Sequence, residues 1–133
     1  MDQALKDKID EFMSYRIDKP PLEIIELYRK ELQVIQDIMG IVQGRWKMQI
    51  IALVCNKEFR YSELEKGIPK ISSRMLSKEF KDLVIKGLVK RKVYDSTPVK
   101  VTYKLADYGY KLVPLIIELT NWGLEHRKMI MKR

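Results

Sequence analysis

The stretch FRYSELEKGIPKISSRMLSKEFKDLVIKGLVKRKVY, residues 59–94, decides the fold. Ser62, followed three residues later by Glu65, reads as a capping box that opens a short helix, and Gly67 is well placed to stop it. Ser72 reads as the N-cap of a longer helix over about residues 73–86, which Gly87 ends. At about 100° per residue, Leu76, Phe80, Leu83 and Val84 fall on one side of that helix. Arg74, Ser77, Lys78 and Lys81 fall on the other, with Ser73 at the start close to them. One face is core; the opposite face is three cations and a hydroxyl. A short helix, a tight turn and then such a helix is the helix-turn-helix pattern, whose second helix enters the DNA major groove with its N-terminal residues first.

Residues 88–94 read as a strand. VKVTYKL, residues 99–105, reads as another: Val99, Val101, Tyr103 and Leu105 alternate with Lys100, Thr102 and Lys104. Asp95 to Pro98 join them as a hairpin loop. A hairpin over 88–105 behind a recognition helix is a wing, and Lys92, Thr97 and Lys100 on it are placed to neutralise backbone phosphates.

Upstream, Leu5, Ile9, Phe12 and Met13 recur at helical spacing over residues 2–17, with Asp2 as N-cap. Pro20 and Pro21 separate this segment from the next, and Pro21 suits a first helical turn. Ile24, Leu27, Tyr28, Leu32, Ile35 and Met39 then form one apolar stripe that Gly40 and Gly44 bracket. A third helix is expected from about Arg45 to Cys55, with Trp46, Ile50, Leu53 and Val54 facing inward. Downstream, Leu112, Leu115, Ile116, Leu119 and Trp122 mark a final helix, in which Pro114 either makes a kink or delays the start.

Composition narrows the function. The 133 residues fit one domain, and 46% apolar residues suffice for a core. No apolar run is long enough to cross a membrane, and MDQALKDKIDEF lacks a signal-peptide layout, so a cytoplasmic location is expected. The net charge of +8 is uneven. Residues 44–104 carry a net +9, residues 1–43 a net −3, and residues 105–133 a net +2. Concentrated positive charge points to a polyanionic partner, although a basic face also serves solubility.

Little supports catalysis or a cofactor. His126 is the only histidine and has no second ligand at metal spacing, so no metal is expected. Glu63 and Glu65 sit two apart and share no helix face, which disfavours an acid–base pair. There is no phosphate-cradling glycine loop. Cys55, the single cysteine, reads as a structural thiol at the end of an apolar helix, with a redox switch as the alternative. Trp46 and Trp122 read as packing groups.

GRWKMQIIALV, the stretch quoted above, TPVKVTYKL and GYKLVPLIIELTNWG together resemble the HxlR-type winged helix-turn-helix transcription regulators, in order and spacing, over about residues 40–123. The family's Ile-Pro-x-Ile-Ser turn matches Ile68, Pro69, Ile71 and Ser72. Its Arg-Met-Leu run matches Arg74, Met75 and Leu76, and its wing edges match Val93, Tyr94, Pro98 and Val99. The resemblance implies a DNA-binding homodimer whose N- and C-terminal helices form the dimer interface, with the recognition helix beginning near Ser72. Many relatives carry a Cys in the helix before the Gly-x-Trp region; YRKELQVIQDIM here has none, so the family's usual thiol sensor is missing. Where relatives often have Thr, this chain has Ala106, and Asp107 is the expected N-cap instead.

The fold class expected is mainly α with a small antiparallel β hairpin, a winged helix-turn-helix dimerising through its N- and C-terminal helices. Residues 1–20 form a helical extension, and 21–133 the winged helix-turn-helix domain with dimerisation helices at 21–43 and 107–131. The expected function is sequence-specific binding of double-stranded DNA at a pseudo-palindromic operator, with no enzymatic activity. The expected contacts are Ser72, Ser73, Arg74, Ser77, Lys78 and Lys81 on recognition helix 72–86, and Lys92, Thr97 and Lys100 on the wing. The alternative is a winged-helix protein–protein interaction module. No residue pattern names a small-molecule effector.

Overall fold

The computed structural model describes residues 2–14 and 18–132, in two compact units, Met1–Ile41 and Val42–Arg133. The first holds α1 (Gln3–Ser14), α2 (Pro21–Leu27) and most of α3 (Arg29–Val42). Asp2 caps α1 as expected, its Oδ1 accepting from the Leu5 N–H at 2.7 Å; residues 15–17 of the expected helix lie outside the described residues. Pro21 occupies the first turn of α2. The expected single stripe is interrupted at Tyr28, which caps α2 with φ −94° and ψ 6°. There the Tyr28 ring packs 4.8 Å from Phe12, and its hydroxyl donates to the Phe12 carbonyl. α3 runs on through Gly40 to Val42, and the left-handed residue beyond it is Gly44, φ 97°. None of the described residues of α1, α2 or α3 is buried.

The second unit contains α4 (Lys47–Val54), β1 (Phe59–Arg60), α5 (Tyr61–Gly67), α6 (Ser73–Ile85), β2 (Val89–Tyr94), β3 (Lys100–Leu105), α7 (Asp107–Tyr110) and α8 (Val113–Met131). Its core joins Ile50, Ile51 and Val54 of α4 to Leu64, Leu76, Phe80, Leu83, Leu88, Val89 and Leu105. Truncating such a leucine to alanine costs about 2–5 kcal/mol. Trp46 stands at the N-cap of α4, not within it.

The turn between α5 and α6 departs from expectation in register. Glu63, not Glu65, makes the reciprocal bond at the start of α5: its Oε1 accepts from the Arg60 backbone N–H at 2.8 Å. The chain enters the helix from strand β1, which makes Arg60 the cap and leaves Ser62 inside the helix. The left-handed residue of the turn is Lys70, φ 66°, after Pro69. Ser72 caps α6 as expected, its Oγ accepting from the Met75 N–H at 3.1 Å.

The end of α6 follows the expected glycine stop. Gly87 has φ 76°; its N–H reaches the Val84 carbonyl, and the Leu88 N–H the Leu83 carbonyl, both at 3.0 Å. That pair of bonds is a Schellman motif. It turns the chain straight into β2 and seats Leu88 in the core.

The hairpin is part of a three-stranded antiparallel sheet of order β1-β3-β2. β3 is therefore central, and two residues read into it depart from expectation. Val99 lies outside the strand and is exposed, while Thr102 is only 2% exposed. The Thr102 Oγ1 donates to Glu58 Oε2 at 3.0 Å, so its hydroxyl is satisfied on the covered side. Beyond β3, Ala106 rather than Asp107 is the N-cap of α7, and no side chain caps that helix. Gly109 packs so closely that a Cβ there would lie 2.4 Å from the Leu88 carbonyl oxygen. Pro114 falls in the first turn of α8, so it delays the helix start. No residue of α8 is buried, and Trp122 is 67% exposed, stacked on His126 at 5.0 Å.

Candidate nucleic-acid interface

The amphipathic pattern of α6 rotates Leu76, Phe80 and Leu83 into the core and leaves Ser72, Ser73, Arg74, Lys78 and Lys81 exposed, with Ser77 half-buried. Val84, expected inside, is 37% exposed at the rim. Three contacts fix the helix within its unit. The Tyr61 hydroxyl meets Ser73 Oγ at 2.9 Å. Phe80 stacks on Tyr103 of β3 at 4.0 Å and 17°. Lys47 of α4 reaches Glu79 Oε2 at 2.9 Å and Asp82 Oδ2 at 3.2 Å.

The last contact was not legible in the sequence, and it shapes the electrostatics of the site. Glu79 and Asp82 are the only carboxylates of α6. Both turn toward Lys47, and Asp82 also pairs with Lys86 at 2.8 Å. The hydrogen bond from Lys86, opposed by burial and reinforced by Lys47, holds the Asp82 carboxyl below the ordinary range. Burial disfavours the Lys47 charge, but the bonds to Glu79 and Asp82 outweigh it and raise its pKa. With both acids drawn inward, the outer face is left with Arg74, Lys78 and Lys81. Among the described residues these three have no ion-pair partner. Arg74 and Lys78 stand at i,i+4, a like-charge spacing that weakens an isolated helix by about 0.2–0.5 kcal/mol. A helix N-terminus adds partial positive charge at Ser72, Ser73 and Arg74.

On the wing, Lys92 and Lys100 flank Tyr94, their ammonium groups 4.7 and 5.0 Å from its ring centre. The Tyr94 hydroxyl donates to Glu58 Oε2, and that bond, opposed by burial and aided by Thr102, lowers the Glu58 pKa. Lys92 lies 3.8 Å from Glu58 Oε1, and Tyr94 followed by Glu58 raises its pKa. Thr97 is exposed in the loop, before the cis bond to Pro98. The structure thus gathers Ser73, Arg74, Ser77, Lys78 and Lys81 on α6 with Ser72 as its cap, Lys92 and Lys100 around one tyrosine, and Thr97 in the hairpin loop.

Sequence reasoning passed over Arg91. It lines a groove of about 320 Å³ with Ser77, Phe80, Lys81 and Ile85, where the wing meets α6. It also passed over Arg60, Lys90 and Lys104, which share a sheet face with Lys92 and Lys100. The period-2 spacing of 90, 92, 100 and 104 was the available signal.

A helix-turn-helix with its second helix capped, pinned and cationic, followed by a β hairpin, is a winged helix-turn-helix. The chain belongs to the HxlR-like helix-turn-helix family, whose pattern matches residues 41–131. It is 42% identical over 87 residues to the uncharacterised HTH-type transcriptional regulator YdzF of Bacillus subtilis (strain 168), covering 65% of this chain and 80% of that one. It is 37% identical over 106 residues to the corresponding regulator BH0655 of Halalkalibacterium halodurans, covering 75% and 94%. Among solved structures it resembles the redox regulator HypR in its reduced form, with TM-score 0.70, 27% identity, and coverage of 74% and 98%. It also resembles the HTH-type regulator YtcD, with TM-score 0.68, 31% identity, and coverage of 71% and 96%. YdzF and BH0655 are HTH-type transcriptional regulators. No helix among the described residues is long and apolar enough to cross a membrane.

Proposed function

We propose that the chain is a homodimeric, sequence-specific DNA-binding transcriptional regulator. α6 enters the major groove N-terminus first. Arg74 reads a base edge, Lys78 and Lys81 hold phosphates, and Ser72, Ser73 and Ser77 add hydroxyl contacts. Lys92, Thr97 and Lys100 contact the flanking backbone. The observation that carries this reading is the withdrawal of Glu79 and Asp82 to Lys47, which leaves an outer helix face of one sign. An interaction module has no need of that arrangement.

The absence of buried residues in α1, α2, α3 and α8 supports dimerisation through them. Apolar stripes of that extent need a partner surface. Two-fold symmetry then calls for a pseudo-palindromic site with half-sites about one helical turn, or a multiple, apart.

Fluorescence anisotropy against the DNA upstream of its own gene, with a scrambled control and a salt series, tests the reading. Tight, salt-sensitive binding to the first alone is expected. Arg74→Ala should then cost about 1–3 kcal/mol on the specific site only, and Lys100→Ala should weaken all DNA alike. Equal binding of the two duplexes by the parent protein would overturn the proposal.

A further inference from the structure

Residues directly opposed in an antiparallel pair share a face, as do alternate residues along a strand. Lys90 opposes Lys104, Tyr94 opposes Lys100, and Lys92 and Arg60 both oppose Thr102. Arg60, Lys90, Lys92, Lys100 and Lys104 therefore stand on one face of the wing sheet. Tyr103 belongs to the other face and stacks on Phe80 of α6. The cationic face is thus turned away from the recognition helix.

Its five cations outnumber the carboxylates beside them, Glu58 and Glu63. Like charges directly opposed across strands are destabilising, and Lys90 and Lys104 are such a pair. Two carboxylates stand beside it: Glu63 lines a cleft with Glu58, Arg60, Lys100 and Thr102, and Glu58 accepts from Tyr94 and Thr102 at Oε2, lies 3.8 Å from Lys92 at Oε1, and also feels the charge of Lys104. Arg60, Lys90, Lys100 and Lys104 have no ion-pair partner among the described residues. At about 3.3 Å per residue, Lys100 to Lys104 spans roughly 13 Å, about the length of helix axis over which one DNA strand carries four phosphates.

We propose that this outer face is a second phosphate track, and that it engages the duplex flanking the site read by α6. A straight duplex against α6 meets the wing at its tip end, at Lys92, Thr97 and Lys100, but not at Lys90 and Lys104 toward its base, so the flank bends around the tip to meet them. The proposal rests on the DNA-reading role of α6 and adds Arg60, Lys90 and Lys104 to the footprint.

The test uses the full chain and its Lys90→Gln/Lys104→Gln variant. Base-by-base substitution in the upstream DNA defines the core whose sequence is read. Two duplexes follow: the core alone, and the core with about 10 base pairs of random sequence on each side. Each phosphate contact contributes about 0.9 to the slope of log affinity against log salt. On the long duplex the variant should lose about 2 units of slope for one wing, or about 4 for two. On the short duplex it should match the parent. End-to-end energy transfer on the long duplex should rise on binding the parent and not the variant. Thermal melting should show the variant no less stable, since an opposed pair of like charges has been removed.

Equal slopes for both proteins on the long duplex would overturn the proposal, as would an equal loss on the short one, which would place the lysines in the core footprint. Bridging of two separate duplexes with no change in end-to-end distance would refute the bent flank and assign the face to a second DNA. Failure of the α6 reading is a different result: no sequence-dependent binding by either protein on either duplex, in which case both ideas fall.

Discussion

Replacing Lys47 with Met keeps the apolar stem and removes the charge that Glu79 and Asp82 share. Asp82 is 36% exposed and retains Lys86 at 2.8 Å, so it loses little. The Glu79 side chain is 9% exposed, and its buried Oε2 has no hydrogen-bond partner among the described residues besides the Lys47 ion pair. It becomes a buried charge without compensation. Breaking a buried pair from one side costs about 3–5 kcal/mol. With one carboxylate orphaned and not two, the low end applies, about 3 kcal/mol. That is a large share of the roughly 5–15 kcal/mol that holds a domain folded, and it corresponds to a melting shift of roughly 10 °C or more. Urea unfolding followed by circular dichroism, at one fixed protein concentration, measures it. The double variant Lys47→Met/Glu79→Leu should recover most of the loss, because an apolar replacement of the whole pair is near neutral. A Lys47→Met variant within about 1 kcal/mol of the parent would refute the reasoning, as would a double variant no better than the single.

Gly109→Ala forces a Cβ to 2.4 Å from the Leu88 carbonyl and 2.7 Å from the Leu105 side chain, so a loss of about 1–3 kcal/mol is expected by urea unfolding. Gly67→Ala, with open space at that position, should cost nothing. Stability should also follow pH in a defined way. The folded-state pKa values of Asp82 and Glu58 are lowered, so their contribution is full above the ordinary carboxylate range of about 4 and drains away as pH falls below it. The Lys47 pKa is raised, so its contribution is full below about 10.4 and is lost as pH rises past that value. Urea midpoints across pH check both limbs, and the alkaline one should vanish in Lys47→Met. Trp122→Glu should shift the population toward monomer in light scattering while leaving circular dichroism unchanged, since the ring is 67% exposed in a single chain.

What the sequence made legible was local. Asp2 and Ser72 accept from backbone N–H groups three residues on, Gly87 adopts a left-handed turn, and Pro21 and Pro114 sit in first helical turns. Each of these depends on a neighbour within a few positions. The misreadings had remote causes. Glu79 drew no reading from the wheel, because its partner Lys47 lies 32 positions upstream on another helix. Thr102 looked like an outward strand residue, yet Glu58, 44 positions away, covers it. The two-residue β1 has no periodicity to read, and its arrival moved the start of α5 by two residues, from Ser62 to Arg60. For the candidate site, the cations were visible on the wheel. That no acid remains among them was not, because it is a tertiary fact.

α6 is tied to α5 through Tyr61, to β3 through Phe80 and Tyr103, and to α4 through Lys47. Tilting it alone would break all three ties, so helix and wing travel as one solid reading head. In a dimer of such heads, a regulatory signal has no cheap way to blunt the reader itself. It would act instead on the distance and angle between the two heads. Affinity for a lone half-site would then stay constant between regulatory states, while preference among half-site spacings would change.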